Sequence, residues 1–260
     1  MNNKKFRMFA VPYIVWMLIF TIIPLALIAF FAFTDRHGGG FTLDNVKYAS
    51  QYLPVLVKSV ALAAIATVIC LVISYPLAYI MSQMKINHQR MMVMLVMLPM
   101  WMNFLLRTYA WMTILETKSG LLNTILTSLG LSPAHIMYTQ GAVILGMVYN
   151  YIPYMIMPLY TIMVRLDRRL VEAAQDLGCN TFHVFRKVII PLSFPGITSG
   201  VTMTFVPAVS TFVISQLLGG PSNYLIGDLI ESNFLSGGEY NPYYGSAISL
   251  LLMVVVFICM

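Results

Sequence analysis

Six long apolar stretches constrain this chain more than any other feature of its sequence. A helix needs about 20 consecutive, mostly apolar residues to cross the hydrocarbon core of a bilayer. Hydrophobic residues make up 59% of the chain and charged residues only 9%, so most of it cannot face water. The sequence therefore predicts an all-α, polytopic membrane protein with six transmembrane helices. The predicted spans are approximately 8–33, 57–81, 91–115, 141–164, 197–218 and 244–260.

The rest of the chain gives no sign of a second domain. No stretch resembles a soluble domain, a repeat or a low-complexity segment, so we expect a single transmembrane domain over residues 1–260. The first apolar run follows three basic residues, as the core of a secretory signal would. It is about 26 residues long, which exceeds a signal core, and Phe33-Thr34-Asp35 is not a small-residue cleavage site. We therefore expect an uncleaved membrane anchor.

The lysines and arginines predict which side of the membrane each loop faces, because cytoplasmic loops carry an excess of both. With the N-terminus inside, ten of these residues lie in inner segments: Lys4, Lys5, Arg7, Lys85, Arg90, Arg165, Arg168, Arg169, Arg186 and Lys187. Four lie in outer segments: Arg36, Lys47, Lys58 and Lys118. The sequence thus predicts a cytoplasmic N-terminus. The net charge of +6 reflects this topology and gives no reason to expect a nucleic acid partner.

The sequence offers little support for catalysis or metal binding. The three cysteines are scattered, and the histidines lie in loops without a second ligand at a suitable spacing. We find no nucleophile elbow, no pair of carboxylates within a span and no phosphate-binding glycine loop. We therefore expect a chain that is not an enzyme and holds no cofactor or metal, with any ATP bound by a different polypeptide.

A polar loop at residues 166–191 separates the fourth and fifth predicted spans. It carries Glu172-Ala173-Ala174, then Gly178, then Val188-Ile189-Ile190-Pro191. This pattern resembles the EAA loop of ABC importer permeases: Glu-Ala-Ala, three residues, Gly, nine residues, a branched apolar residue, any residue, Leu and Pro. Val188 and Ile190 stand where that family more often has Ile and Leu, which keeps the apolar character. The alternative is an ordinary cytoplasmic helical hairpin.

The resemblance implies the fold of a type I ABC importer permease and a docking role for the loop. In that family the first helix of the loop lies in a cleft of an ATPase subunit, whose motion drives alternating access. The residues that match this role are Glu172, Ala173, Ala174, Asp176, Gly178 and Pro191. We expect short helices at 170–177 and 181–188, a sharp turn at Gly178 and a helix that opens at Pro191.

Partners and location are also implied by the resemblance. It predicts a second, similar permease subunit that forms a heterodimer with this chain. It also predicts two ATP-binding subunits and an extracytoplasmic substrate-binding protein that delivers the solute. The assembly would lie in the bacterial cytoplasmic membrane, with the lipid bilayer around its spans.

Two further stretches resemble the permease subunits of spermidine/putrescine ABC importers. They are residues 101–111, WMNFLLRTYAW, and the segment with Leu217-Leu218-Gly219-Gly220 and Leu225-Ile226-Gly227. The likeness extends over nearly the whole chain and implies polyamine uptake. These stretches are less specific than the polar loop, because permeases for other solutes carry similar ones. The alternatives are an importer of a phosphonate, thiamine or an iron chelate and, outside this class, a channel or a lipid-modifying membrane enzyme.

A polyamine pathway needs carboxylates for the ammonium groups and aromatic faces for cation–π contact. The candidates for lining it are Trp101, Asn103, Tyr109, Glu116, Tyr154, Asp228 and Glu231. Asp228 and Glu231 are expected on the polar face of a short amphipathic helix, turned to water or to the pathway. Glu239 and other outer acids add to the negative charge. The alternative is that the aromatic residues mark the membrane interface and that the acids are simply solvated.

Arg107 is the charge that fits this picture least well, because a charge within a span is costly and is usually paired or functional. It would repel a cationic solute. We therefore expect a structural ion pair with Asp228 or Glu116. A gating role, a contact with the partner subunit or binding of an anionic solute are the alternatives.

Overall fold

The structure, a computed structural model of the chain, describes residues 11–35, 39–117, 120–235 and 240–260. These residues form helices, with an isolated bridge between Thr34 and Phe41. In chain order the helices are α1 Val11–Ala32, α2 Asp44–Ser50, α3 Leu53–Gln83, α4 Ile86–Trp101, α5 Phe104–Leu115, α6 Leu121–Ser128, α7 Gln140–Met163, α8 Arg168–Asp176, α9 Thr181–Val209, α10 Ile226–Leu235 and α11 Pro242–Cys259. A π-helical segment, Ser215–Gly219, and a 3-10 turn, Pro221–Asn223, lie between α9 and α10.

Within the described ranges, five helices are long and apolar enough to cross a membrane: α1, α3, α7, α9 and α11. Helices α4 and α5 together make a sixth crossing if the pair is counted as one span. This confirms the prediction of an all-α, polytopic membrane protein. Helices α3 and α9 are longer than the spans predicted for them. Helix α3 extends beyond 57–81 at both ends, and α9 begins at Thr181, well before residue 197.

The third predicted span, 91–115, is two helices rather than one. Helices α4 and α5 are bent by 88° at the break between them. Asn103 has an extended backbone, and its side-chain oxygen accepts a hydrogen bond from the backbone N–H of Leu105 at 2.8 Å. An Asn that caps a helix N-terminus satisfies a donor that would otherwise lack a partner. The apolar residues continue through this break, so hydropathy alone predicts one continuous helix.

The fifth predicted span, 197–218, is displaced toward the N-terminus. Helix α9 already begins at Thr181 and ends at Val209, and the helix is interrupted at Thr211 before the π-helical segment follows. The α-helical part of α9 that follows the π-helical turn, Ile190–Val209, has Pro191 in its first turn, as predicted. A π-helical turn, Phe185–Ile189, precedes Pro191 and loosens the regular bonding where the proline ring and its missing N–H would otherwise break the helix.

The chain divides into two compact units, of which the first comprises Met1–Val57 and Ile226–Met260. In this unit Phe31 of α1 contacts Tyr243 of α11 edge to face, with ring centroids 5.5 Å apart. Asn45 of α2 donates from Nδ2 to carbonyls in and just after the last turn of α1, at 2.9–3.4 Å. The amide thereby satisfies carbonyls that a helix C-terminus leaves open.

The second unit, Lys58–Leu225, is built around the packing of α7 against α9. Two small residues let these helices approach closely: a Cβ atom at Gly200 would lie 2.7 Å from Met155 Sδ, and one at Gly196 would lie 3.2 Å from Ile162 Cβ. Small residues four positions apart are a common device for close packing of helices in membranes. The signal is present in the sequence as Gly196-Ile-Thr-Ser-Gly200.

Candidate functional site

The first helix of the polar loop, α8, begins with a side-chain cap. Asp167 has an extended backbone and accepts a hydrogen bond from the N–H of Arg169 at 3.0 Å. Its negative charge also lies at the positive end of the helix dipole. Helix α8 covers Arg168–Asp176, two residues ahead of the helix predicted at 170–177.

The turn after α8 depends on Gly178. This residue has a φ of +82°, a conformation that side chains other than glycine rarely adopt. The N–H of Gly178 donates to the carbonyl of Gln175 at 2.8 Å, and the N–H of Cys179 donates to that of Ala174 at 3.1 Å. Together these bonds form a Schellman motif that ends the helix. The glycine of the sequence pattern therefore sets the direction in which the chain leaves α8.

Helix α9 starts immediately after this turn. The side-chain oxygen of Asn180, Oδ1, accepts a hydrogen bond from the backbone N–H of His183 at 2.9 Å. The same oxygen lies 2.8 Å from Nδ1 of the His183 ring. Only residues 177–180 separate α8 from α9. The loop is a capped helix, a glycine turn and a second capped helix, each held by local hydrogen bonds.

The surface of this loop is exposed and partly apolar. Glu172, Ala173 and Asp176 are exposed, and Ala174 is half-buried. Leu177 is 86% exposed and Phe182 is 67% exposed. Large apolar side chains exposed at a compact turn of a polar loop are typical of a docking surface for another protein. These two residues were not predicted from the pattern, although both are visible in the sequence as large apolar residues within a polar stretch.

Beneath the loop, an aromatic cluster connects α9 to α3. Phe185, the first residue of the π-helical turn, contacts Tyr75 and Tyr79 edge to face, with ring centroids 5.5 Å and 5.9 Å apart. The Tyr75 hydroxyl lies 2.7 Å from Ser193 Oγ in a buried hydrogen bond between the same helices. We call Tyr75, Tyr79, Phe185 and Ser193 the aromatic joint. It packs into a core formed with Met155, Leu159 and Met163 of α7.

Three predicted pathway residues lie at or after the break between α4 and α5. Trp101 is 77% exposed, Asn103 is exposed and caps α5, and Tyr109 is 49% exposed. Tyr154 lies elsewhere, on α7, where it lines a cavity of about 490 Å³ with Met97, Met100 and Met203.

The predicted acidic residues occupy different environments. Glu116 is exposed at the end of α5 and lines a second cavity, of about 460 Å³. Asp228 is only 8% exposed, so of the two surroundings expected for it, water and the pathway, it is not turned to water: it lies in the first turn of α10 among the buried residues of that helix. Glu231 is half-buried on the same helix. The cavities lined by Glu116 and Tyr154 share no residue, so the structure does not bring these two into one pocket.

Arg107 is buried in α5, with 7% of its surface exposed. Its guanidinium carbon lies 5.9 Å from the centre of the Phe104 ring, and Tyr151 of α7 is within electrostatic range. Its Nε and Nη1 atoms have no hydrogen-bond partner among the described residues. The ion pair with Asp228 or Glu116 stays a prediction.

Several residues used in the sequence predictions lie outside the described ranges. They are Lys4, Lys5, Arg7, Arg36, Lys118 and Glu239. In the parts of the chain that the structure describes, no group of three or more His, Cys, Asp or Glu residues is placed to hold a metal ion.

The described residues thus combine several helices long and apolar enough to cross a membrane with an exposed, capped polar loop, which defines a helical membrane protein. The chain belongs to the family described as binding-protein-dependent transport system inner membrane component, whose model matches residues 1–260. This confirms the resemblance drawn from the polar loop. Members of this family are membrane components of transport systems.

Individual relatives match the chain over nearly its full length. The spermidine/putrescine transport system permease protein PotB of Haemophilus influenzae is 39% identical, over 98% of this chain and 91% of its own. PotB of Escherichia coli is 38% identical, over 93% of this chain and 90% of its own. The sequence thus places the chain among ABC importer permeases.

Solved structures share the fold at lower identity. A bacterial ABC transporter involved in the import of the acidic polysaccharide alginate matches with a TM-score of 0.79 and 17% identity, over 98% of this chain and 94% of that chain. A bacterial alginate ABC transporter in complex with an alginate pentasaccharide-bound periplasmic protein matches with a TM-score of 0.77 and 16% identity. The match covers 98% of this chain and 92% of that chain. The predicted ABC importer permease fold is confirmed.

Proposed function

We propose that this chain is the membrane-spanning permease subunit of an ATP-driven importer that moves polyamines such as spermidine and putrescine into the cytoplasm. One observation carries the proposal: the polar loop has the family's Glu-Ala-Ala and Gly pattern and folds into an exposed, capped hairpin. Such a surface suits a soluble partner that grips the permease from one side of the membrane.

In this mechanism α8 docks into an ATPase subunit. Glu172 and Asp176 make polar contacts, while Ala173 and Ala174 allow the partner to approach closely. Leu177 and Phe182, which are strongly exposed, add apolar contact area at the turn. Gly178 fixes the angle between the docked helix and α9, so movement of the ATPase reaches the spans through α9 rather than bending the loop.

The assembly around the chain follows from this role. A second permease completes the transmembrane part, two ATP-binding subunits bind and hydrolyse ATP, and an extracytoplasmic binding protein delivers the solute. The chain itself binds no cofactor. Its N-terminus and polar loop face the cytoplasm of a bacterial cell, as the excess of Lys and Arg in the inner segments supports.

The polyamine cargo is supported by the relatives and by the carboxylates and aromatic side chains of the predicted pathway. Two relatives named for spermidine and putrescine are 39% and 38% identical to this chain over most of its length. Glu116, Glu231, Trp101 and Tyr109 supply carboxylates and aromatic faces suited to ammonium groups and methylene chains.

One observation favours a different solute within the same importer class. Arg107 is buried, and two of its nitrogen atoms have no hydrogen-bond partner among the described residues. An anionic solute such as a phosphonate would satisfy such donors, because guanidinium groups bind phosphate-like oxygens strongly. Nothing comparable among the described residues favours a thiamine or iron chelate importer.

Uptake measurements decide between these cargos. Cells that express the complete importer are given labelled spermidine, putrescine or aminoethylphosphonate, with cells lacking the permease as the control. We expect ATP-dependent accumulation of spermidine or putrescine and none of aminoethylphosphonate. Accumulation of the phosphonate alone would contradict the polyamine assignment while leaving the importer class in place.

A further inference from the structure

The cavity at the end of α5 has two walls of different chemistry. One wall comes from the last turn of α5 and the residues after it: Met112, Thr113, Glu116 and Thr117. The other wall is the segment that leads into α7, with Met137 and Tyr138. The cavity has a volume of about 460 Å³, enough for one end of an extended alkylammonium chain. We call it the Glu116–Tyr138 pocket.

Tyr138 has a backbone conformation that is unusual for its type. Its φ is +64°, and it is the one non-glycine residue with positive φ in the described ranges. A bulky side chain in this region costs about 1–2 kcal/mol. Residues held in strained conformations tend to occur at functional sites, where the surrounding structure enforces them.

The surrounding structure does enforce this conformation. The N–H of Tyr138 donates to the carbonyl of Leu218 at 2.9 Å, and its own carbonyl accepts from Asn223 Nδ2 at 2.8 Å. The ring lies over Gly220, where a Cβ atom would be 2.7 Å from Tyr138 Cδ1. The aromatic face is therefore fixed in place by backbone bonds on both sides and by a residue without a side chain.

The two walls are also fastened to each other. Asn123 of α6 is 4% exposed, and its Nδ2 donates to the carbonyls of Thr117 at 3.0 Å and Ala134 at 3.1 Å. Its Oδ1 accepts from the N–H of Ala134 at 2.8 Å. A buried amide thus connects the segment that follows Glu116 to the segment that precedes Tyr138.

We infer that the Glu116–Tyr138 pocket binds one terminal ammonium group of the cationic solute. The carboxylate supplies charge, the ring supplies a cation–π face, and Met112 and Met137 contact the methylene groups next to the ammonium. With the topology of the proposed function, the pocket opens toward the side from which the binding protein delivers its solute. The inference therefore depends on the proposed function and adds a receiving site to it.

Equilibrium binding of labelled spermidine to the assembled permease–ATPase complex, without the binding protein, tests the inference. Glu116→Gln keeps the shape of the side chain and removes its charge, so we expect binding about tenfold weaker. Tyr138→Leu removes the ring while the backbone keeps its positive φ, and it should weaken spermidine binding about threefold. Tyr138→Phe keeps the aromatic face, so its affinity for spermidine should stay near that of the wild type. Asp44→Asn removes an exposed acid elsewhere and is the matched control.

The outcomes separate this inference from the proposed function. If wild-type cells take up spermidine but Glu116→Gln binds it as tightly as Asp44→Asn does, the pocket is not the receiving site and the function stands. If the wild-type complex transports polyamine but shows no binding of its own, the inference is also wrong. If wild-type cells take up no polyamine, both fail. The amount of each variant in the membrane is measured as well. If Tyr138→Leu does not accumulate there, the comparison of spermidine binding by Glu116→Gln and Asp44→Asn still tests the inference.

Discussion

Gly178 shows how a single backbone conformation organises the docking loop. Nothing lies within 4 Å of the position where a Cβ atom would be, so space does not exclude a side chain here. The constraint is the φ of +82°, which the two hydrogen bonds of the Schellman motif require. The turn therefore requires glycine for its backbone conformation and not for packing space.

Replacement of Gly178 tests this interpretation. Gly178→Val should strain the turn by about 1–2 kcal/mol and redirect α8, so that copurification of the ATPase subunit with the permease falls about fivefold or more. Gly178→Asn is the matched control, because Asn tolerates positive φ better than other side chains, and it should retain most of the association. If the ATPase subunit associates equally with the Gly178→Val variant and with the wild-type permease, the turn does not position the docking surface.

The outcome at Asp228 shows what a residue-level pattern does not predict. The spacing of apolar residues correctly indicates a helix at α10, yet Asp228 is buried rather than turned to water. Helical periodicity shows which residues share a face, but not which face is covered by other parts of the protein. Glu172, in contrast, is exposed, because it lies in a segment too polar to be covered by lipid or by the core.

At the scale of elements, the aromatic joint gives α9 a direct connection to α3. Phe185 lies at the start of the π-helical turn, close in sequence to the exposed Phe182 of the docking surface. The hydrogen bond of Tyr75 to Ser193 makes a second connection between the same two helices at 2.7 Å. We therefore expect a movement imposed on the loop to reach α3 through these packed rings and this buried bond.

Phe185→Leu tests this transmission. It removes both edge-to-face contacts, each worth about 0.5–1.5 kcal/mol, and leaves the exposed loop unchanged. We expect the ATPase subunit to bind normally and to hydrolyse ATP, while solute uptake per ATP falls about threefold or more. Phe194→Leu on the same helix, where Phe194 is 59% exposed, is the control and should leave the ratio unchanged. An unaltered ratio in Phe185→Leu would show that α9 moves α3 by another route.

Hydropathy predicted the existence of the spans better than their ends. Helix α7 lies within one residue of the predicted 141–164 at each end, because polar residues bound its apolar run closely. The α4–α5 break was not predicted, since Trp101 and Met102 keep the run apolar while Asn103 starts a new helix. The aromatic joint could not be predicted either, because Tyr75 and Phe185 are far apart in sequence and nothing in either segment indicates the other.

At the scale of the whole molecule, the family assignment and the polar loop support each other. The family model matches residues 1–260, and the loop pattern that first suggested it folds into a separate exposed hairpin between α7 and α9. We propose that this hairpin faces the cytoplasm and receives an ATPase subunit there. Orientation decides it, because an ATPase that uses cellular ATP reaches only the cytoplasmic side.

Labelling of Cys179 by a membrane-impermeant maleimide measures this orientation directly. Cys179 lies half-buried in the turn after α8, Cys70 is buried, and the exposed Cys259 is replaced by Ser so that one accessible thiol remains among the three cysteines. If the hairpin is cytoplasmic, Cys179 should be labelled in inside-out vesicles, should not be labelled in right-side-out vesicles, and should be protected when the ATPase subunit is bound. Labelling from the outside of intact right-side-out vesicles would contradict this orientation.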